Sequence, residues 1–241
     1  EGLTALSTAA SRTSGQNLYG GADTGGIRTP RVVRVGPDNA WLMLDFVPAG
    51  PRGLRSDENL GRGLAAIHAT PTVQPSFGWE RDNWIGHLPQ RNSPNSIWGR
   101  FWRDVRIAPQ LELARSRGFF RSTEEGGRKM DDLLGVVDSA LADVKEPSLL
   151  HGDLWSGNAY ADAEGRPVLI DPAVYRGDGE VDLAMTELFG GFGTRFYDAY
   201  REARPISSAY HAYRRDLYQL YYLLVHVNLF GASYLAGALR A

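Results

Sequence analysis

Apolar residues recur at helical spacing over much of the chain. Leu60, Leu64 and Ile67 fall on one face of a predicted helix. The same periodicity predicts helices within residues 97–113 and 130–144. The larger part of the sequence is therefore expected to be helical.

Both ends of the sequence also predict helices. Residues 1–10 place Leu3 and Leu6 on one face, and residues 217–239 are strongly apolar. Polar residues interrupt this second segment, and no long apolar run without them is present. A buried amphipathic helix is therefore expected at 217–239 rather than a membrane span. No charged segment followed by an apolar one begins the chain, so no secretory signal is predicted.

Two regions predict strands instead of helices. Residues 31–35 are rich in β-branched side chains, 36–39 form a turn sequence, and 40–47 are an apolar run, which together predict a hairpin. Residues 148–175 predict a compact unit in which a short strand enters a polar loop and a second strand follows at 167–170.

A stretch rich in Ser, Gly and Thr at 11–30 predicts a loop. Its segment 19–26 has the glycine content of a phosphate-binding loop. No lysine follows it, however, and no strand-to-helix context surrounds it. A role in phosphate binding is therefore not favoured for this segment.

Composition narrows the class of protein. The chain has 241 residues, 43% of them hydrophobic, with a formal net charge of -2. This length suits one globular protein of one or two lobes, because such a chain buries about 70 to 75% of its extended surface. The near-neutral charge argues against a nucleic-acid binder that relies on a basic surface. The absence of cysteine excludes thiol nucleophiles, disulfides and thiolate zinc sites.

The most informative residues lie at 151–158 and 170–173. Asp153 and Asn158 have the spacing of the kinase catalytic loop, in which the Asp faces the acceptor hydroxyl and the Asn reaches a metal ion. Asp171 ends an apolar strand, where the second metal-binding carboxylate of a kinase would lie. The loop alone could be a plain turn, but the second carboxylate favours a phosphoryl-transfer site. Oxygen ligands of this kind suit Mg²⁺.

The sequence resembles the fructosamine kinase (ketosamine 3-kinase) family, within the aminoglycoside phosphotransferase and protein-kinase-like superfamily. The resemblance covers nearly the whole chain. It is carried by Leu-Leu-His-Gly-Asp-Leu-Trp-Ser-Gly-Asn at 149–158, Ile-Asp-Pro-Ala-Val-Tyr at 170–175, Glu-Val-Asp-Leu-Ala-Met-Thr at 180–186 and Leu-Phe-Gly-Gly-Phe at 188–192. The Trp-Ser-Gly-Asn and Phe-Gly-Gly-Phe elements distinguish it from choline and aminoglycoside kinases.

The resemblance implies a role for several residues. Asp153 would be the catalytic base, and Asn158 and Asp171 would bind Mg²⁺. Asp182 would be a buried acid that anchors the catalytic loop. The backbone of the hinge between the lobes would meet the adenine of ATP, and this hinge comprises Asp45, Phe46 and Val47.

The sequence also supports expectations for other polar and aromatic residues. His151 is expected to order the loop by hydrogen bonding rather than to move protons. Trp155 lies between the base and the metal ligand, so it is expected either near the acceptor pocket or as packing support. Arg103 and Arg106, one helical step apart, favour a solvated or ion-paired face over an anion site. Most of the other tryptophans favour the core: Trp79, Trp84, Trp98 and Trp102.

The resemblance also implies a fold and a reaction. The fold is expected to be kinase-like α/β (α+β), with a partial small lobe at 1–47 that ends in the hinge and a mostly helical large lobe at 48–241. The reaction would be ATP-dependent phosphorylation of the 3-hydroxyl of a ketosamine. The unstable product would release the amine and so repair glycated molecules. The acceptor would be a small ketosamine or a glycated protein, and we expect a cytoplasmic protein without nucleic-acid or membrane partners.

One departure from the family leaves other interpretations open. A kinase needs a Gly-rich loop and a strand lysine that contacts the phosphates, paired with a helix glutamate. The two lysines, Lys129 and Lys145, lie in a predicted helix and just before the catalytic strand, so neither fits. We therefore expect that the strands carrying the Gly-rich loop and the lysine precede Glu1. Glu1 itself is either the pairing glutamate or a residue just after it. A truncated or inactive pseudokinase remains an alternative, as does a kinase for aminoglycosides, choline or sugars.

Overall fold

The computed structural model describes residues 1–14, 26–72 and 74–241. The Gly-rich segment 19–26 therefore lies, apart from its last residue, outside the described residues. The chain forms two compact units. The first comprises Glu1–Pro71, Ser148–Val174 and Thr186–Ser207, and the second comprises Thr72–Pro147, Tyr175–Met185 and Ser208–Ala241. The lobe boundary expected after residue 47 stays a prediction.

The first unit combines helices with short antiparallel strand pairs. Strands β1 and β2 pair with each other around the turn at Pro37–Asn39, and β6 pairs with β7. This confirms the predicted hairpin and the strands predicted at the two ends of 148–170, whereas β6 falls in a segment predicted as a loop. The elements of the first unit are α1 (Gly2–Ser14), β1 (Val32–Val35), β2 (Leu42–Leu44), α2 (Leu54–Ala69), β5 (Ser148–Leu150), β6 (Ala159–Ala161), β7 (Pro167–Leu169) and α7 (Thr194–Ala203).

Helix α2 is the centre of the first unit. Its predicted apolar face is buried, with Leu64 and Ile67 fully enclosed, and it packs on α1, α7, β5 and β7. Gly61 lets α7 approach closely, because a Cβ atom at this position would lie 2.2 Å from the carbonyl oxygen of Phe196. The backbone around the catalytic strands is therefore supported by a helix pair in direct contact.

The Gly61→Ala substitution is expected to destabilise the protein by about 1 to 3 kcal/mol, because the added methyl group must push two packed helices apart. The loss is read from the free energy of unfolding in urea. Gly135→Ala is the matched control: Gly135 also lies inside a helix, but its Cβ would meet no atom within 4 Å. It is expected to stabilise the protein by about 0.5 to 1 kcal/mol. Equal effects at the two positions would refute the role of close packing at Gly61.

The second unit is mostly helical. Its elements are β3 (Asn83–Ile85), β4 (Leu88–Gln90), α3 (Trp98–Phe101), α4 (Ala108–Ser116), α5 (Glu125–Ala140), β8 (Tyr175–Gly177), α8 (Arg215–Phe230) and α9 (Leu235–Ala238). The remaining helix, α6 (Glu180–Leu188), begins in the second unit and ends in the first. A π-helical segment, Trp102–Ile107, joins α3 to α4, and another, Tyr210–Arg214, precedes α8.

Aromatic side chains form the core of the second unit. Trp98 and Trp102 are buried as expected, and both contact the ring of Tyr218. The same expectation is wrong for Trp84, which is 63% exposed on β3. The Trp98 indole donates a 2.9 Å hydrogen bond to the Tyr218 hydroxyl, which donates in turn to Asp178 at 2.7 Å. Burial and the neighbouring Asp178 carboxylate raise the pKa of Tyr218 well above its usual value. The phenol therefore stays protonated and keeps this chain of hydrogen bonds intact.

Three helix predictions need correction. The predicted helix 217–239 ends at Phe230, because Gly231 adopts φ +84°, and a separate short helix follows. Helix α1 runs to Ser14, four residues beyond the predicted end. The hairpin β3–β4 lies in a region that was expected to be mostly helical. Within the described ranges, none of the helices combines the length and the apolar character that crossing a bilayer requires.

The expectation for Arg106 is also wrong. Arg106 is fully buried, with its guanidinium group 4.0 Å from the centre of the Tyr175 ring and 2.7 Å from Asn92 Oδ1. Arg103 instead pairs with its neighbour Asp104 at the surface. The π-helical geometry removes the regular turn on which the shared face was predicted.

Candidate active site

The predicted catalytic loop lies between three buried strands of the first unit. Strand β5 ends at Leu150 and leads into the loop, which closes with a 3₁₀ turn at Ser156–Asn158 and continues into β6. Strand β7 pairs with β6 and ends next to Asp171. Buried apolar strands on both sides of the loop hold its polar residues in a fixed arrangement.

Asn158 joins the two predicted carboxylate segments. Its amide nitrogen donates to the backbone carbonyl of Asp153 at 2.9 Å, and it lies 3.4 Å from the Asp153 carboxylate and 3.5 Å from the carbonyl of Asp171. All three contacts are made by the side-chain nitrogen of Asn158. The Asn158 side-chain oxygen, in contrast, accepts no hydrogen bond from a described residue. The oxygen is therefore the atom that can bind a cation.

Asp171 has a strained backbone. Its φ is +48°, in the left-handed region that residues other than glycine rarely adopt. Its side chain is exposed and has no ion-pair or hydrogen-bond partner in the part of the chain that the structure describes. Strained residues concentrate at functional sites, where the surrounding structure enforces them. The amide of Ile170, just before it, donates to the carbonyl of Asn158 at 3.0 Å and fixes this approach.

His151 bridges the loop and the end of β7. Its Nδ1 accepts the backbone N–H of Asp153 at 3.3 Å, and its Nε2 lies 2.9 Å from the carbonyl of Ile170. Its own carbonyl accepts from Ala173 at 2.9 Å. A neutral imidazole with the proton on Nε2 satisfies both ring contacts. These contacts support the predicted ordering role, because they connect both carboxylate segments through one buried side chain.

Trp155 lies across the catalytic loop. A Cβ atom at Gly157 would lie 2.3 Å from the indole ring, so the ring covers this glycine, and the side chain is 41% exposed. Ser156 meets a second loop: a Cβ atom at Gly191 would lie 2.5 Å from Ser156 Cβ. The Phe-Gly-Gly-Phe segment therefore packs directly against the catalytic loop, which the sequence motif alone did not reveal.

The predicted hinge is attached to the strand that follows the catalytic loop. The Tyr160 hydroxyl donates to the carbonyl of Val47 at 3.0 Å, and the amide of Gly50 donates to the carbonyl of Ala161 at 2.8 Å. Phe46 is 87% exposed, and the Asp45 carboxylate accepts from the backbone of Arg31. Burial raises the pKa of Tyr160, so its hydroxyl remains a donor at neutral pH.

Asp162 is a functional-site neighbour that the sequence did not single out. It is buried at the turn between β6 and β7 and accepts from the backbone of Glu164 and Arg166 at 3.1 and 2.9 Å. Burial alone would raise the pKa of this carboxyl, but the bonds and charge of Arg166 outweigh burial and lower it. The turn that places Asp171 is therefore held by an ionised carboxylate. The sequence Asp-Ala-Glu-Gly-Arg at 162–166 is the signal from which this turn could have been predicted.

The predicted metal ligands form a small oxygen-donor set. No group of three or more His, Cys, Asp or Glu side chains able to hold a metal ion occurs among the described residues. Mg²⁺ bound with a nucleotide needs only one or two protein carboxylates, because phosphates and water supply the other ligands. The Asn158 oxygen and the Asp171 carboxylate fit that requirement. Asp182, the predicted anchor, is fully buried in α6 within the second unit.

This arrangement is suited to phosphoryl transfer. A partly exposed carboxylate, Asp153, lies 3.4 Å from the amide nitrogen of Asn158, and the same nitrogen lies 3.5 Å from the backbone carbonyl of Asp171, which follows a separate strand. The fold confirms the kinase-like prediction. The chain matches the structure of a choline/ethanolamine kinase family protein from Mesorhizobium loti with a TM-score of 0.54 at 17% identity, over 98% of this chain and 76% of that one. The protein therefore has a kinase-like fold.

The family follows from closer relatives. The fructosamine kinase family model matches residues 12–241, and the chain belongs to this family. It is 42% identical to a probable ketoamine kinase of Vibrio parahaemolyticus over 90% of this chain and 73% of that protein. It is 38% identical to the chloroplastic protein-ribulosamine 3-kinase of Arabidopsis thaliana, over 90% of this chain and 66% of that protein. A crystal structure from Haemophilus somnus, assigned as a fructosamine-3-kinase, matches with a TM-score of 0.79 at 26% identity over 99% and 77% of the two chains.

Proposed function

We propose that this protein is an ATP-dependent kinase that phosphorylates the 3-hydroxyl of sugars held to an amine by a ketosamine linkage. The observation that carries the proposal is the contact of Asn158 with the segments of Asp153 and Asp171, in a chain of the fructosamine kinase family. The phosphorylated product is unstable and releases the free amine, so the biological role is the repair of glycated molecules.

The loop residues have separate tasks in this mechanism. The Asp153 carboxylate orients the acceptor hydroxyl and accepts its proton as the phosphoryl group is transferred. Asn158 holds the backbone of Asp153 in place through its amide nitrogen. The Asn158 oxygen and the Asp171 carboxylate would hold Mg²⁺. When bound, this ion neutralises the negative charge on the nucleotide phosphates.

The remaining predicted residues support binding and order. The backbone of Asp45, Phe46 and Val47 would meet the adenine of ATP, and the bond from Tyr160 to the Val47 carbonyl holds this segment in position. Trp155 presents an exposed ring beside the base, where it can stack on the acceptor. His151 is assigned to ordering the loop through its ring contacts, and Asp182 to a structural role within α6.

The proposal is tested by comparing acceptors with the full-length natural protein and Mg²⁺-ATP. Fructose and ribulose adducts of a lysine derivative are compared with choline, an aminoglycoside and free fructose. Because a site that hydrogen-bonds its substrate discriminates strongly against analogues that lack those groups, kcat/KM for a ketosamine is expected to exceed the others by about 100-fold or more.

The unmodified lysine derivative is the matched control for the acceptor assay, since it carries the amine without the sugar. The position of the phosphate is read by NMR of the product before it decomposes. Preference for choline or the aminoglycoside would overturn the ketosamine assignment, but the protein would still be a kinase. Absence of transfer to any acceptor would overturn the kinase itself.

A further inference from the structure

The second unit contains a cleft of about 380 Å³ outside the predicted active-site residues. One wall comes from the end of β4 and the residue after it, and the other from the π-helical segment and α4. Leu88, Val105 and Leu113 supply apolar surface on both walls. This volume lies at the lower end of the range for small-molecule sites.

A buried amide forms part of the lining of this cleft. Gln110 is only 6% exposed, and its side-chain oxygen accepts from the Asn228 amide at 2.9 Å. The same Asn228 nitrogen donates to the backbone carbonyl of Gln110 at 2.8 Å, which fixes the orientation of the Gln110 side chain. The Gln110 NH₂ group has no partner in the described part of the chain. This nitrogen is not among the fully enclosed atoms that lack a partner, so an acceptor that enters the cleft can reach it and take the place of water.

Two opposite charges line the cleft. Arg91 lies on the strand wall and Glu112 on the helix wall. Neither side chain forms an ion pair or hydrogen bond with a described residue. The buried Arg106 guanidinium donates to the carbonyl of Arg91, which fixes the backbone of this residue. The cleft therefore presents a cation, an anion, an amide donor and apolar walls.

We propose that this cleft binds a small zwitterion with an apolar side chain, of the α-amino acid class. The ligand carboxylate binds the Arg91 guanidinium and the Gln110 NH₂ group, since carboxylates are the natural partners of both donors. The ligand ammonium pairs with Glu112. The apolar side chain contacts Leu88, Val105 and Leu113. This site is independent of the proposed kinase reaction, because binding requires neither nucleotide nor acceptor.

The test is isothermal titration calorimetry of the full-length protein with L-leucine, leucinamide and N-acetyl-leucine, without nucleotide. L-Leucine is expected to bind, and both analogues are expected to bind about tenfold more weakly or worse, because each lacks one of the two charges. Arg91→Gln is expected to weaken L-leucine by about tenfold and to remove the preference over leucinamide. Glu112→Gln is expected to remove the preference over N-acetyl-leucine.

Arg103→Gln is the matched control, because it removes the same charge from the surface outside the cleft. It is expected to leave the affinity for L-leucine unchanged. Absence of binding by L-leucine would overturn the proposal, as would equal affinities for L-leucine and leucinamide. An intact ketosamine kinase that binds no amino acid would refute this site alone. Binding in a protein without kinase activity would refute only the proposed function.

Discussion

Asp153→Asn is expected to lower kcat for ketosamine phosphorylation by about a thousandfold. The amide has the shape of the carboxylate but cannot accept the proton of the acceptor hydroxyl, and general-base catalysis contributes about 10² to 10⁴ in rate. The fold should persist, because Asn158 holds this residue chiefly through the Asp153 backbone carbonyl at 2.9 Å. The rate is measured with Mg²⁺-ATP and saturating acceptor, and KM for ATP is expected to change little.

Asp198→Asn is the control for this substitution. It makes the same chemical change at an exposed carboxylate that forms a surface ion pair with Arg201. Its rate should equal that of the wild type. Turnover by Asp153→Asn at the wild-type rate would exclude Asp153 as the base. Unfolding of both variants in urea is measured as well. If their transitions match, a lower rate in Asp153→Asn reflects lost chemistry and not a loss of folding.

The sequence predicted strands β5 and β7 and the loop between them well, because short-range patterns determine these elements. The apolar runs that become β5 and β7 are bounded by polar turns, and the spacing between Asp153 and Asn158 falls within one loop. Contacts within a few residues of one another follow from local chain geometry. Helix α2 could be predicted in the same way, because the residues of its buried face recur at helical spacing.

Features that depend on distant residues were not predictable in this way. The burial of Arg106 depends on the rings of Tyr175 and Tyr221, which are remote in sequence, and on a π-helical segment that periodicity does not indicate. The break at Gly231 was missed because the apolar pattern continues past it. A positive φ at a single glycine outweighs such a pattern, since a helix cannot continue through it.

The contact between Gly191 and Ser156 belongs to this second group. The two residues are 35 positions apart, and each lies in a motif that the resemblance identified without showing that they meet. Gly191 adopts φ +92°, and the space for a side chain there is filled by Ser156. Ser156 in turn lies between the proposed base and the proposed metal ligand. A side chain added at Gly191 would therefore displace the loop that contains both Asp153 and Asn158.

Gly191→Ala is expected to lower kcat by about 10- to 100-fold, because a displacement of the catalytic loop by even 1 Å misplaces the base relative to the acceptor. The new methyl group would lie 2.5 Å from Ser156 Cβ and 2.7 Å from its hydroxyl oxygen, so one of the loops must move. The measurement is kcat and KM with a ketosamine, together with the unfolding free energy.

Gly190→Ala supplies the control for backbone strain. Gly190 also has positive φ, at +69°, but a Cβ atom there meets nothing within 4 Å. In both alanine variants the left-handed backbone conformation costs about 1 to 2 kcal/mol of stability. Only Gly191→Ala also forces a contact with the loop. Gly190→Ala should therefore lose stability with little change in kcat. Adding Ser156→Gly to Gly191→Ala removes the obstructing side chain, so part of the lost rate should return. Equal rates for the two single variants, or no recovery in the double variant, would show that the loop contact does not position the catalytic residues.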